Sequence, residues 1–210
     1  MRIKALFLDI GGVLLTNGWD HHARKRAAKE FELDFVVMEN RHQLNVDTYE
    51  LGKLTLKEYL SRVVFYQRRP FTYGQFWKFM SAQSKPFYPT IELFRQIKER
   101  YGLKIVVVSN EARELNSHRI RKYKLDMLVD SFVSSCFVHF RKPDKDIFQV
   151  ALDTAQVSPA QVVYIEDTPM FVEVAESLGI RGVHHTDYKS THDKLAALGL
   201  DLCDIGKGHL

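Results

Sequence analysis

From residue 87 onward, short apolar runs alternate with amphipathic stretches of helix length. "LKIVVVSN", "LVDSFVSS", "QVVYIED" and "RGVHH" read as strands. "TIELFRQIKERYG", ended by Gly102, "EARELNSHRIRKY", "PDKDIFQVALDTA", "PMFVEVAESLG" and "DKLAALG" read as helices. Pro143 suits the first turn of its helix. The strand runs are continuously apolar, as strands buried on both faces must be. Strands joined by helices of this length build a parallel sheet covered on both sides. A further strand, Ile3 to Asp9, opens the chain. The expected fold class is α/β: a doubly wound parallel sheet, Rossmann-like, built from residues 1–16 and 87–210.

Residues 17–86 carry no strand pattern. "DHHARKRAAKEF", "TLKEYLSRVVFYQ" and "TYGQFWKFMSAQ" are three amphipathic helix candidates, with Asp20, Thr55 and Thr72 as N-caps. An all-helical domain inserted after the first strand is expected. Its aromatic density, at Phe65, Tyr66, Phe71, Tyr73, Phe76, Trp77 and Phe79, reads as the core of that insert rather than a base-stacking surface.

The chain has 210 residues and 45% hydrophobic content, enough for one sizeable core and a small insert. Thirty basic against 26 acidic residues leave a net charge of +4. That mild excess suits an anionic substrate but lacks the concentrated basic stripe of a nucleic-acid binder. Cys136 and Cys203 have no metal-ligand spacing and read as reduced thiols of a cytoplasmic protein. Asp9 interrupts the first apolar run, so the start does not read as a secretory leader. No stretch approaches the ~18 apolar residues of a membrane span.

In an open parallel sheet the site forms beyond the carboxyl ends of the strands. The first strand ends at Asp9, the second at Ser109 and Asn110, and "VVYIED" at Glu166 and Asp167; Lys142 lies in a loop entering a helix. Three carboxylates brought to one edge repel each other, and a divalent cation held by oxygen ligands, Mg²⁺, relieves that. A hydroxyl, an ammonium and loop amides suit a phosphate. Ser109 and Asn110 are also good helix caps, and Glu166 and Asp167 suit a helix N-terminus.

These residues resemble the haloacid dehalogenase superfamily, in its phosphatase-like branch with a helical cap after the first strand. "FLDIGGVL", "VVVSN", "RKPDKDIF" and "VYIEDTP" with "AESLGI" match its four motifs in order and spacing, and "YELGKLTLKEYL" resembles a stretch of the cap. The resemblance implies a Mg²⁺-dependent phosphatase acting on a small phosphorylated metabolite. Asp9 would be the nucleophile and a metal ligand, forming an aspartyl-phosphate. Ser109, with the Asn110 backbone, would bind the phosphoryl group. Lys142 would neutralise charge on phosphate and Asp9. Asp167 would ligate the metal, Glu166 would do so directly or through water, and the Gly11 carbonyl would complete the protein ligands.

Gly11 stands where most phosphatases of this family carry an acid–base aspartate. General acid–base help is worth ~10²–10⁴ in rate. Three consequences are expected: slow turnover with alcohol leaving groups, a persistent aspartyl-phosphate, and His21 or His22 as a substitute proton donor. Phe171, and His139 with Phe140, stand where relatives carry smaller residues, which predicts a bulkier pocket. The rival reading from another class is a catalytically weakened domain that binds a phosphorylated ligand or a partner. A dehalogenase would leave the Glu166–Asp167 pair without a purpose. A nucleotide-binding Rossmann domain is disfavoured, since "DIGGVL" lacks the glycine spacing.

Overall fold

The structure, a computed structural model, describes residues 2–202. In chain order the elements are β1 (Ala5–Leu8), α1 (His21–Glu30), α2 (Phe35–Gln43), α3 (Val46–Glu50), α4 (Leu56–Val63), α5 (Tyr73–Ala82), α6 (Tyr88–Tyr101), β2 (Lys104–Ser109), α7 (Arg113–Tyr123), β3 (Ser131–Ser134), α8 (Ser135–Val138), α9 (Lys145–Ala155), β4 (Val162–Glu166), α10 (Pro169–Glu176), β5 (Arg181–His184) and α11 (Tyr188–Ala197). The five strands form one sheet in the order β3-β2-β1-β4-β5, and every pairing is parallel. The order reverses direction at β1, which places a crevice at the carboxyl ends of β1 and its neighbours.

The continuous apolar strands bury both faces. Leu6 and Leu8 pack with Leu93, Phe94 and Ile97 of α6 and Leu195 of α11. Ala5 and Phe7 point the other way, onto Ile147, Phe148 and Ala151 of α9 and Ala175 of α10. All four residues of β1 are fully buried. Each large side chain so enclosed stabilises the fold by ~1.5–3 kcal/mol.

The segment between β1 and α6 is helical and has an apolar cluster of its own, around Trp19, Tyr59, Phe76 and Met80. Its local signals behave as the sequence reads. Asp20 accepts from the Ala23 amide, and Thr55 and Thr72 each close a capping box, with Glu58 and Gln75. The aromatic set divides. Phe76 is fully buried and Phe65, Phe71, Trp77 and Phe79 pack around it. Tyr73, in contrast, is exposed, and Tyr66 lies under the guanidinium of Arg41. The two passages of the chain into and out of this insert pair with each other. Thr16 N donates to Lys85 O at 2.8 Å, Lys85 N to Thr16 Oγ1 at 3.0 Å, and Arg119 Nη2 to Thr16 O at 2.6 Å.

Pro143 does not enter the first turn of its helix. It precedes Asp144, whose side chain caps α9, and the Lys142–Pro143 bond is cis. Cys136 is a buried free thiol; Cys203 lies outside the described residues. Among the described residues no helix is long and apolar enough to cross a membrane.

Candidate active site

Asp9 is the first residue past β1, and its amide still donates to Ile165 O of β4 at 3.0 Å. The sheet ladder thus fixes its backbone. Its Oδ1 accepts from the Ile10 amide at 2.8 Å and lies 3.2 Å from Lys142 Nζ. Ser109, the last residue of β2, hydrogen-bonds the same carboxylate. Burial first, and then the charge of Glu166, push the Asp9 carboxyl up to about 6; Lys142, Ser109 and Ile10 act in the opposite direction.

Lys142 is buried and enclosed by named partners. Its Nζ donates to Glu166 Oε2 at 2.5 Å and to the Tyr164 hydroxyl at 3.1 Å, and it lies 5.0 Å from the centre of the Phe171 ring. Burial alone would push the ammonium down, but Asp9 and Glu166 together raise its pKa. Its backbone is fixed as well. The Asn110 side chain donates from Nδ2 to Lys142 O at 2.9 Å and accepts from Lys142 N at 2.8 Å. The Asn110 side chain therefore seats the lysine loop.

Glu166 is wholly buried. Oε2 accepts from Lys142 and from the Tyr164 hydroxyl, and Oε1 from the Thr168 amide at 3.0 Å. Tyr164 and Glu166 are two apart on β4 and so share a face. That spacing was readable in "VVYIED", yet Tyr164 passed as one more apolar residue of the strand. Neither Ser109 nor Asn110 caps α7, whose N-cap position is Ala112 and which has no side-chain cap.

Carboxylate oxygens of Asp9, Glu166 and Asp167 all lie within 4.8 Å of one another. One ammonium against three such groups leaves excess negative charge. This donor set fits a hard divalent cation such as Mg²⁺. Glu166 Oε2 accepts two hydrogen bonds and Oε1 one, so Asp9 and Asp167 are the better placed ligands and Glu166 keeps a lone pair on Oε1.

Gly12 is required by close approach. A Cβ on Gly12 would fall 1.9 Å from Asp167 Oδ2, and its φ of +74° lies in the left-handed region. A Cβ on Gly11 would fall 2.6 Å from Asn17 Oδ1. Asn17 Nδ2 in turn donates to Asp167 Oδ2 at 3.4 Å. The space a side chain at residue 11 would need is held by the Asn17 amide. No local pattern of residues signals this contact.

These groups open into a cleft of about 390 Å³ between the sheet edge and the insert. Trp19, His21, Arg24, His42 and Glu50 supply its far wall, with Phe171 and Arg141 on the core side. His42 is buried there, its Nδ1 2.8 Å from the Tyr59 hydroxyl, which accepts from Trp19 Nε1 at 2.9 Å. Burial, and then Arg24, push its imidazole down to about 4. His21 lines the cleft with Nδ1 3.4 Å from Glu39 Oε1. His22 does not; it lines a separate surface depression with Arg26, Gln83 and Lys85. Phe171 does narrow the cleft, but His139 and Phe140 do not line it. His139 instead donates from Nδ1 to Leu51 O of the insert at 2.7 Å. Beside it, Arg141 pairs with Asp47 and, at 2.7 Å, with Glu50.

The haloacid dehalogenase-like hydrolase family model matches residues 3–179. Curated relatives include bifunctional epoxide hydrolase 2 of Sus scrofa, 21% identical over 199 residues, 86% of this chain and 36% of that protein. A sesquiterpene phosphatase of Aspergillus oryzae is 28% identical over 107 residues, 50% of this chain and 54% of that protein. A phosphorylated carbohydrates phosphatase of Thermotoga maritima is 29% identical over 82 residues, 39% of this chain and 38% of that protein. The matches thus span between about a third and about half of these relatives' lengths. Among solved structures, an HAD family enzyme from Bacteroides thetaiotaomicron superposes with a TM-score of 0.73 at 20% identity, over 94% of this chain and 99% of that one. The same enzyme in complex with magnesium and inorganic phosphate gives 0.69 at 20% identity, over 87% and 93%. At this identity the likeness is one of fold. The family match covers most of the chain, which belongs to the haloacid dehalogenase-like hydrolases.

Proposed function

We propose that this haloacid dehalogenase-like hydrolase is a phosphatase that cleaves a small phosphorylated metabolite through an aspartyl-phosphate on Asp9, with Mg²⁺ bound by Asp9, Asp167 and the Gly11 carbonyl. The observation that carries this is the enclosed cluster of Asp9, Lys142, Glu166 and Ser109 at the carboxyl edge of the sheet. The phosphatases among its relatives, and the neighbour that holds magnesium with phosphate, support it.

Each residue has a part that follows from its surroundings. The Asp9 carboxylate attacks phosphorus, and the substrate's ester oxygen departs with the electron pair. Lys142, held against Asp9 and Glu166, places positive charge beside the transferred phosphoryl group. The Ser109 hydroxyl, already on Asp9, is positioned to donate to a phosphoryl oxygen. Glu166 keeps Lys142 protonated and in place. Mg²⁺ bound beside Asp9 supplies further positive charge to the phosphoryl oxygens. The helical insert acts as a cap, and its wall selects the leaving group.

Gly11 leaves the leaving group without a carboxylic acid at the usual place, so aryl and acyl phosphates should outrun alkyl esters. The same glycine favours the second reading, a phosphate-binding domain of little turnover. Nitrophenyl phosphate separates the two, because nitrophenolate departs without a proton. Release of nitrophenolate that requires Mg²⁺ and vanishes in Asp9→Asn is the expected result. A folded wild type with no Mg²⁺-dependent release would overturn the phosphatase reading, as would turnover surviving in Asp9→Asn.

A further inference from the structure

We infer that Asn17 holds the water that hydrolyses the phosphorylated Asp9. This rests on the phosphatase reading above. The sequence pointed to His21 or His22 as the group that serves beside Gly11. The structure puts the Asn17 amide beside Gly11, while His21 lines the same cleft and His22 does not. Asn17 Oδ1 lies over the Gly11 Cα, where a Cβ would be only 2.6 Å away. The same side chain is oriented from its other end, Nδ2 donating to Asp167 Oδ2 at 3.4 Å. Asn17, Gly11, Asp9 and Asp167 line one cleft.

Several acceptors in and beside that cleft are already engaged. Both Glu166 oxygens accept from Lys142, Tyr164 and Thr168. The Asn110 amide is closed on the Lys142 backbone. Glu50 pairs with Arg141 and Glu111 with Arg119. Among the described residues Asn17 Oδ1 accepts no hydrogen bond, and it faces Asp9's own loop. An amide oxygen takes a hydrogen bond from water without taking its proton. A glutamine amide that orients the attacking water serves this way in GTP hydrolysis.

The step balances without a protein base. The water oxygen bonds to phosphorus as the bond from phosphorus to the Asp9 oxygen breaks. That electron pair returns to the Asp9 carboxylate. One water proton stays on the new P–O bond, its hydrogen having been held by Asn17 Oδ1. The other passes to a phosphoryl oxygen, and dihydrogen phosphate leaves. Asn17 therefore acts on the second half of the reaction and leaves the first, transfer from ester to Asp9, alone. A side chain at residue 11 and the Asn17 amide in this rotamer compete for the same space.

The test uses nitrophenyl phosphate with Mg²⁺, rapid mixing, and intact-mass measurement of acid-quenched protein. In Asn17→Ala the rate constant of the first nitrophenolate release should stay within about twofold of wild type. Steady-state turnover should fall about tenfold to a hundredfold, the scale of a misplaced reactant, and the phosphorylated fraction of the protein should rise. Asn17→Gln keeps both the amide oxygen and the amide donor, and should retain more steady-state turnover than Asn17→Ala. Asn17→Ala with wild-type turnover and an unchanged phosphorylated fraction would overturn the assignment alone. Equal loss in both phases would also overturn it, because Asn17 would then serve only to place Asp167. Wild type that turns over while Asp9→Asn does too, with no phosphoprotein in any variant, would overturn the phosphatase reading itself.

Discussion

Lys142→Met should expose how far the site depends on one ammonium. The lysine is buried, as are its partners Asp9 and Glu166, at 3.2 and 2.5 Å. Methionine fills much of the volume but leaves two carboxylates enclosed. Glu166 retains the Tyr164 hydroxyl and the Thr168 amide; Asp9 retains Ile10 N and Ser109. Breaking a buried pair by removing one partner costs about 3–5 kcal/mol. The deficit depends on pH, and its sign can be worked out. Burial, then Glu166, already hold Asp9 at about 6, above its ordinary 3.8, and Lys142 opposes them. Without the lysine the carboxyl rises further. A raised folded-state pKa favours the native state at low pH and works against it as pH rises through that value. The variant's deficit should therefore be smaller near pH 5, where Asp9 takes up a proton, and largest above pH 7. Each further unit on Asp9 adds about 1.4 kcal/mol to the gap. Urea unfolding followed by circular dichroism, with EDTA present, measures this at pH 5 and 7.5. Lys142→Met with Glu166→Gln should recover about half of the loss or more, since one of the two stranded charges is gone. A deficit below about 1 kcal/mol, or one equal at both pH values, would refute this account of the cluster.

Three other outcomes are expected. His42 is held at about 4 against an ordinary 6.5, so the unfolded chain takes up its proton first as pH falls, and stability drops between those values; by linkage His42→Phe should be about 2 kcal/mol less sensitive to a change from pH 7 to 5 than wild type, in paired urea titrations. Gly12→Ala puts a Cβ 1.9 Å from Asp167 Oδ2 in a left-handed conformation, which should cost about 1–2 kcal/mol and abolish the rise in thermal midpoint that Mg²⁺ gives the wild type. Arg141→Gln strands Glu50, whose carboxyl burial already pushes up, so the loss in urea midpoint should be larger at pH 8 than at pH 5.

The sheet was legible because its strands are buried on both faces and its helices carry one apolar stripe each. All five strands lie where the apolar runs put them, trimmed at their ends. Helices α2, α3 and α8 were not legible. In α2 the apolar residues do not share a face, with Val36 and Val37 turned to solvent, and the other two are a turn or so long. Asp9, Ser109, Lys142, Glu166 and Asp167 converge at one edge because strand ends declare themselves by a switch from apolar to polar. What each group touches did not declare itself. Asn110 pinning a backbone, Tyr164 sharing Glu166, and Asn17 meeting Gly11 depend on loop paths between distant segments, and no local pattern encodes those. His139 shows the same limit, since a residue beside the lysine motif turned out to bind the insert.

Arg141 and Lys142 are neighbours in the chain with opposite allegiances. The first grips Asp47 and Glu50 of the helical insert; the second charges the bed in which Asp9 lies, and Asn110 clamps the peptide units of the lysine. The contact with the helical insert and the ammonium beside Asp9 are therefore carried by adjacent residues of one loop. A foreign insert grafted onto this core would have to bring its own carboxylates for Arg141, or leave the residue next to Lys142 without its anchor.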